Sequence, residues 1–150
     1  MASVTQHSSE AALRAAELAC RQAGESFTPL RRRVLELLLG RGAPAKAYDL
    51  LEELKLGHAG AKPPTIYRTL EFLVRLGLVH RIESLNAFIA CDLGACERST
   101  VFLICEGCGA AVEVDAGHAL VDLREAAGRA GFALRRTVIE AAGRCGKCAA

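Results

Sequence analysis

Four cysteines stand in two matching arrangements, Cys105-Glu106-Gly107-Cys108 and Cys145-Gly146-Lys147-Cys148, with 36 residues between the pairs. A turn with two residues between its cysteines aims both sulfurs at one point. Two such turns supply the four thiolates that a structural Zn²⁺ takes in tetrahedral geometry. Gly109 follows the first pair and Gly146 lies inside the second; glycine lets backbone N–H groups turn toward sulfur and offset its charge. Two rival chemistries use the same residues. Stable disulfides need an oxidising compartment, and no basic start followed by a long apolar run suggests secretion. A dithiol redox pair is expected where a strand enters a helix, whereas both pairs here flank apolar, strand-like segments. Spacing therefore favours a zinc cage, and in so small a domain the binding free energy of the metal becomes folding free energy.

The rest of the chain must position that cage and give it a purpose. The 150 residues are 51% hydrophobic, enough for one medium domain or two small ones. No apolar run approaches the roughly 18 residues of a membrane helix, so a soluble cytoplasmic protein is expected. Residues 1–84 hold 12 Lys/Arg against 9 Asp/Glu, and residues 85–150 hold 7 against 8. Six of the seven cysteines follow residue 90. The halves thus differ in charge and in sulfur, which suggests two jobs. No glycine-rich phosphate loop and no Ser/His/Asp set asks for catalysis or for a small-molecule substrate.

Residues 1–9 are polar and read as a disordered tail. Residues 10–23 read as a helix with Cys20 on its core side. In "FTPLRRRVLELLLG", Thr28 suits an N-cap, Pro29 the first helical position and Gly40 the end. A third helix fits residues 46–56, and a polar loop carries His58. The fourth, residues 65–77, places Ile66, Leu70, Leu73 and Val74 on one stripe and Tyr67, Arg68, Glu71 and Arg75 elsewhere. "LVHRIESLNAFIAC" reads as a hairpin around residues 84–86. Helices followed by a hairpin describe a winged helix-turn-helix, whose last helix enters the major groove of double-stranded DNA. Residues 101–105, 110–114, 117–130 and 132–143 then read β-β-α-β. The expected class is α+β: a winged helix over residues 10–88 and a small α/β domain over 89–150.

Arg68 is the candidate for base reading, because a guanidinium pairs bidentately with guanine for about 1–3 kcal/mol of discrimination. Tyr48, Thr65 and Tyr67 are candidates for phosphate or thymine-methyl contacts. Arg31, Arg32, Arg33, Lys62 and Arg75 are phosphate candidates, of which the three consecutive arginines cannot all face one way.

Taken together, "TPLRRRVLELL", "PPTIYRTLEFLVRLGLVHRIESLNAFIAC", "FLICEGCG" and "FALRRTVIEAAGRCGKC" resemble the ferric uptake regulator family, and within it the zinc uptake regulator branch. The likeness covers residues 10–148. It implies a homodimeric repressor with an N-terminal DNA-binding domain and a C-terminal dimerisation domain. Cys105, Cys108, Cys145 and Cys148 match the family's structural zinc site. His80, Cys91 and Glu113 match a regulatory zinc site near the hinge, which makes two zinc ions per subunit. Imidazole, thiolate and carboxylate together suit Zn²⁺, and a thiolate disfavours harder metals. Family members usually carry histidines between Cys91 and the first pair, and this chain has none. Cys96 is taken as the fourth ligand, with Glu97 and Asp92 as substitutes. An extra site at His118 is a further option, and His7 is expected in solvent. A family sensor of another metal or of peroxide, and a thiol-redox protein, are the alternative functions.

Overall fold

The computed structural model describes residues 3–91, 99–115, 117–135 and 137–149, with side chains from residue 9 onward. Four helices lead: α1 (Ser3–Gln22), α2 (Pro29–Arg41), α3 (Ala47–Lys55) and α4 (Pro63–Arg75). Strands β1 (Val79–Ile82) and β2 (Ala87–Ala90) form a hairpin, followed by β3 (Ser99–Cys105), β4 (Ala111–Val114), α5 (Gly117–Arg129) and β5 (Thr137–Gly143). The chain divides into two compact units, residues 1–96 and 97–150. The division expected after residue 88 cuts through β2. Ladder bonds and the bond from Cys91 N–H to Leu78 O, 3.0 Å, hold residues 89–91 to the hairpin.

Unit 1 is built around α2 and α4. Thr28 caps α2, its hydroxyl accepting from Arg31 N–H at 3.3 Å, and Pro29 occupies the first turn. Gly40 does not end the helix. Gly42 does, in the left-handed region at φ +56, its N–H bonding Leu38 O. Two prolines open α4 ahead of the expected start. Leu13, Ala16, Cys20, Val34, Leu38, Leu50, Leu54, Ile66, Leu70 and Leu73 close into one core. Burial pushes the Cys20 thiol upward. Ala45 and Phe88 exchange two 2.8 Å backbone bonds, which anchors the α2–α3 link to the hairpin. The hairpin turns at Asn86, φ +46, a residue that tolerates this region. Residues 3–9 are helical rather than a tail: α1 starts at Ser3.

Unit 2 is a three-stranded sheet in the order β4-β3-β5, with β4 antiparallel and β5 parallel to β3. Parallel pairing needs a crossover, and α5 supplies it. The register sets Cys105 opposite Gly143. Gly131, φ +72, ends the crossover helix region, where Phe132 N–H bonds Ala127 O at 2.8 Å. Among the described residues no helix is long and apolar enough to cross a membrane.

Candidate metal centre and nucleic-acid interface

Sheet register brings the two cysteine pairs to one edge. Cys105 ends β3, and Gly143, its partner in the ladder, is the last residue of β5. Glu106 N–H bonds Gly143 O at 2.9 Å, and Gly109 N–H closes the first turn on Cys105 O at 2.8 Å. Cys148 N–H closes the second on Cys145 O at 2.9 Å. All four sulfurs lie within 4.8 Å of one another, and all four thiols are free. Sulfurs about 2.3 Å from a central Zn²⁺ in a tetrahedron stand about 3.8 Å apart. Cys108 Sγ and Cys145 Sγ are 3.8 Å apart, so the donors fit the ion.

The electrostatics are uneven. The Cys145 N–H, which donates to Cys105 Sγ at 3.3 Å, acts with the N–H groups of Cys108 and Gly107 to hold the Cys105 thiol down to about 6. Cys148 is pushed up to about 12, first by the Cys145 side chain and then by Cys105 and Cys108. One sulfur is ready as a thiolate, and another gives up its proton only to a competing cation. Gly107 was not singled out by the sequence. A methyl group there would stand 3.0 Å from both Cβ and Sγ of Cys148, so a side chain at this turn has to displace a cage sulfur. Gly109 holds φ +71, whereas Gly146 stands in open space without a positive φ.

His80 and Cys91 share a face of the hairpin in unit 1. Val79 pairs with Ala90, which sets Leu78 against Cys91 and His80 on the diagonal. Both are buried, at 5% and 2% exposure, and their ligand atoms lie within 4.8 Å. Glu113 is half-buried on β4 of unit 2, opposite Phe102. Cys96, Asp92 and Glu97 lie outside the described residues, as does the side chain of His7. His118 is exposed at the start of α5, and His58 is exposed after α3. Among the described residues neither joins a group of three metal-ligating side chains.

The interface residues follow from how α4 docks. Ile66, Thr69, Leu70, Phe72 and Leu73 are buried, which turns Tyr67 and Arg68 outward. Tyr67 is 49% exposed, and Tyr48 on α3 is 67% exposed. Thr65 is half-buried, and its carbonyl accepts the Thr69 hydroxyl at 2.9 Å. The phosphate candidates on α2 are otherwise engaged. Arg32 pairs with Glu17 at 2.5 Å and Glu36 at 3.3 Å, and Arg33 with Glu36 at 3.4 Å. Arg31 and Arg75 share Glu25, at 3.8 and 2.9 Å, and both guanidinium groups lie over the Phe72 ring, at 3.4 and 5.4 Å.

The model of the ferric uptake regulator family matches residues 22–142. The zinc uptake regulation protein of Escherichia coli K12 is 40% identical over 134 residues, 89% of this chain and 78% of that one. A zinc uptake regulator complexed with zinc and DNA superposes with TM-score 0.87 at 38% identity, covering 98% of this chain and 96% of the other. Holo XcZur gives TM-score 0.79 at 41% identity, covering 91% and 96%. With an N-terminal helical unit, a C-terminal sheet unit and these matches along nearly its full length, the chain belongs to the ferric uptake regulator family.

Proposed function

We propose that the chain is a zinc-responsive transcriptional repressor, acting in the cytoplasm as a homodimer on operator DNA that controls zinc uptake. It has no catalytic role in this reading. The observation that carries it is the buried imidazole–sulfur pair, His80 and Cys91, on the hairpin that follows α4. A soft N/S donor pair beside a DNA reader selects zinc over harder cations. It also makes the reader sensitive to metal supply. The relatives named for zinc uptake regulation, and the one solved with zinc and DNA, support the same assignment.

Cys105, Cys108, Cys145 and Cys148 hold the structural ion in this assignment. His80 and Cys91, with Glu113 and Cys96 as further ligands, hold the sensing ion. Zinc supplies charge neutralisation and a fixed coordination geometry when bound. An ion held beside the hairpin makes metal occupancy and the reader's conformation one equilibrium, so zinc that favours the binding conformation raises DNA affinity by preorganisation. Unit 1 reads DNA, with Arg68 on base edges and Tyr48, Thr65 and Tyr67 beside it. Unit 2 dimerises. Leu103 and Val112, exposed cross-strand partners on one face of the sheet, supply apolar surface for the second copy.

Operator binding of the His80→Ala and Cys91→Ser variants, reduced and still carrying structural zinc, tests the assignment. Each variant is expected to lose zinc-dependent affinity. Wild-type zinc dependence in both would remove the sensing role from this pair.

A further inference from the structure

We infer that Lys46 is a DNA-backbone contact of this chain, acting with Lys62, and that Arg31–Arg33 and Arg75 stay outside the footprint. The inference rests on the DNA-binding function proposed above and adds the residues that meet phosphate.

Unit 1 holds twelve Lys/Arg residues. Eight are committed to carboxylates of the same unit: Arg14, Arg31, Arg32, Arg33, Arg41, Lys55, Arg75 and Arg81. Among the described residues the four cations without a carboxylate partner are Arg21, Lys46, Lys62 and Arg68. Arg21 sits in the last turn of α1, where the helix dipole favours a positive charge.

Lys46 and Lys62 occupy the opposite kind of position. They are the N-cap residues of α3 and α4, and neither makes a side-chain capping bond. N-caps favour Ser, Thr, Asp or Asn, and a cation at this end of a helix opposes the dipole. Thr28 on α2 obeys the rule in the same unit. The rule is broken on the two helices that carry exposed Tyr48, Tyr67 and Arg68. Local violations of this kind mark function rather than folding. A polyanion reverses the sign of the conflict, because phosphate attracts the lysine and the helix end alike. The committed arginines lack this motive: leaving a carboxylate for a phosphate exchanges one ion pair for another and strands the carboxylate.

Zinc-loaded, full-length protein tests the idea on two probes: the duplex it enriches from a random-sequence pool and a mixed-sequence duplex of equal length. Affinity is followed against salt concentration. Lys46→Ala and Lys46→Ser should weaken both duplexes by the same factor, since phosphate recognition reads no sequence. Removing one lysine–phosphate pair should reduce the slope of log affinity on log salt by about 0.9, or about 1.8 for a dimer. Lys46→Ser should also melt higher than the parent, because it gains a cap. Lys62→Ala should repeat the slope change, and Arg75→Ala should leave it unaltered. A wild-type slope for both Lys46 variants, with Arg68→Ala still relaxing sequence discrimination, overturns the Lys46 assignment and leaves the DNA function standing. An Arg75→Ala slope change as large as that of Lys46→Ala overturns the exclusion of the committed arginines. Protein that enriches no duplex with or without zinc overturns the DNA function itself.

Discussion

The two units solve the problem of stability in different ways. Unit 1 closes a single apolar core from all four helices and the hairpin. Unit 2 buries only Val101, Phe102, Ile104 and Cys105 among its described hydrophobic side chains, and α5 contributes none. Its sheet is held by strand pairing, four sulfurs converge at one edge, and Leu103, Val112 and Phe132 remain exposed. A unit with so little core needs a metal, a second copy, or both. The reader is therefore independent of metal for its fold, and metal is free to control what the reader does.

The sharpest way to break that contrast is to remove the cage. Chelation, or Cys145→Ser, should withdraw on the order of 10 kcal/mol of metal-linked folding free energy from unit 2. Helical circular dichroism of unit 1 should survive while the dimer dissociates in sedimentation. Loss of both signals together would mean that the units share one cooperative transition. A smaller effect, about 2–5 kcal/mol, is expected for Leu70→Ala in the unit 1 core, where Leu70 is fully buried. Zinc content of the cage should stay at the parent level in that variant, and a parallel fall in zinc would contradict the independence of unit 2. Thr28→Ala should cost about 1 kcal/mol through removal of the α2 cap, seen as a slightly lower melting temperature of unit 1.

The last effect turns on a single proton. In reduced protein stripped of metal and kept folded by an osmolyte, Cys105 is held down to about 6 from an ordinary 9.0. Its contribution to stability is complete above pH 9.0 and is lost as pH falls through about 6. Cys148, raised to about 12, contributes below pH 9.0 and ceases to do so as pH rises through about 12. Ultraviolet thiolate absorbance should therefore show one step near pH 6, and Cys105→Ser should erase it. A step that persists in that variant would assign the low-pH thiolate to another sulfur.

Much of the molecule is legible in its residues alone. The order of elements, the Thr28–Pro29 helix start and the convergence of both cysteine pairs follow from local rules of capping, periodicity and ligand spacing. His80 and Cys91 are found by resemblance, and the hairpin register explains why they meet. What escapes depends on partners distant in sequence. Glu17 and Glu25 engage arginines of α2 and α4 from α1 and the following loop, so no local reading removes those arginines from the phosphate candidates. Gly107 becomes significant only when Cys148 packs on it. Gly40 resembles a stop because glycine is a common one, but bonding to the Leu38 carbonyl selects Gly42. Lys46 does carry a local signal, since lysine at an N-cap is out of place.

The parallel pairing of β3 with β5 sets an order of assembly. The β3–β4 hairpin closes locally, whereas β5 arrives only after α5 has been threaded across the sheet, and such non-local pairing is slow. For that interval Cys105 and Cys108 form half a cage, two donors facing solvent with no mates. Oxidants and foreign cations have their best access to the nascent sheet then, so zinc supplied during refolding should rescue more active protein than zinc supplied afterwards.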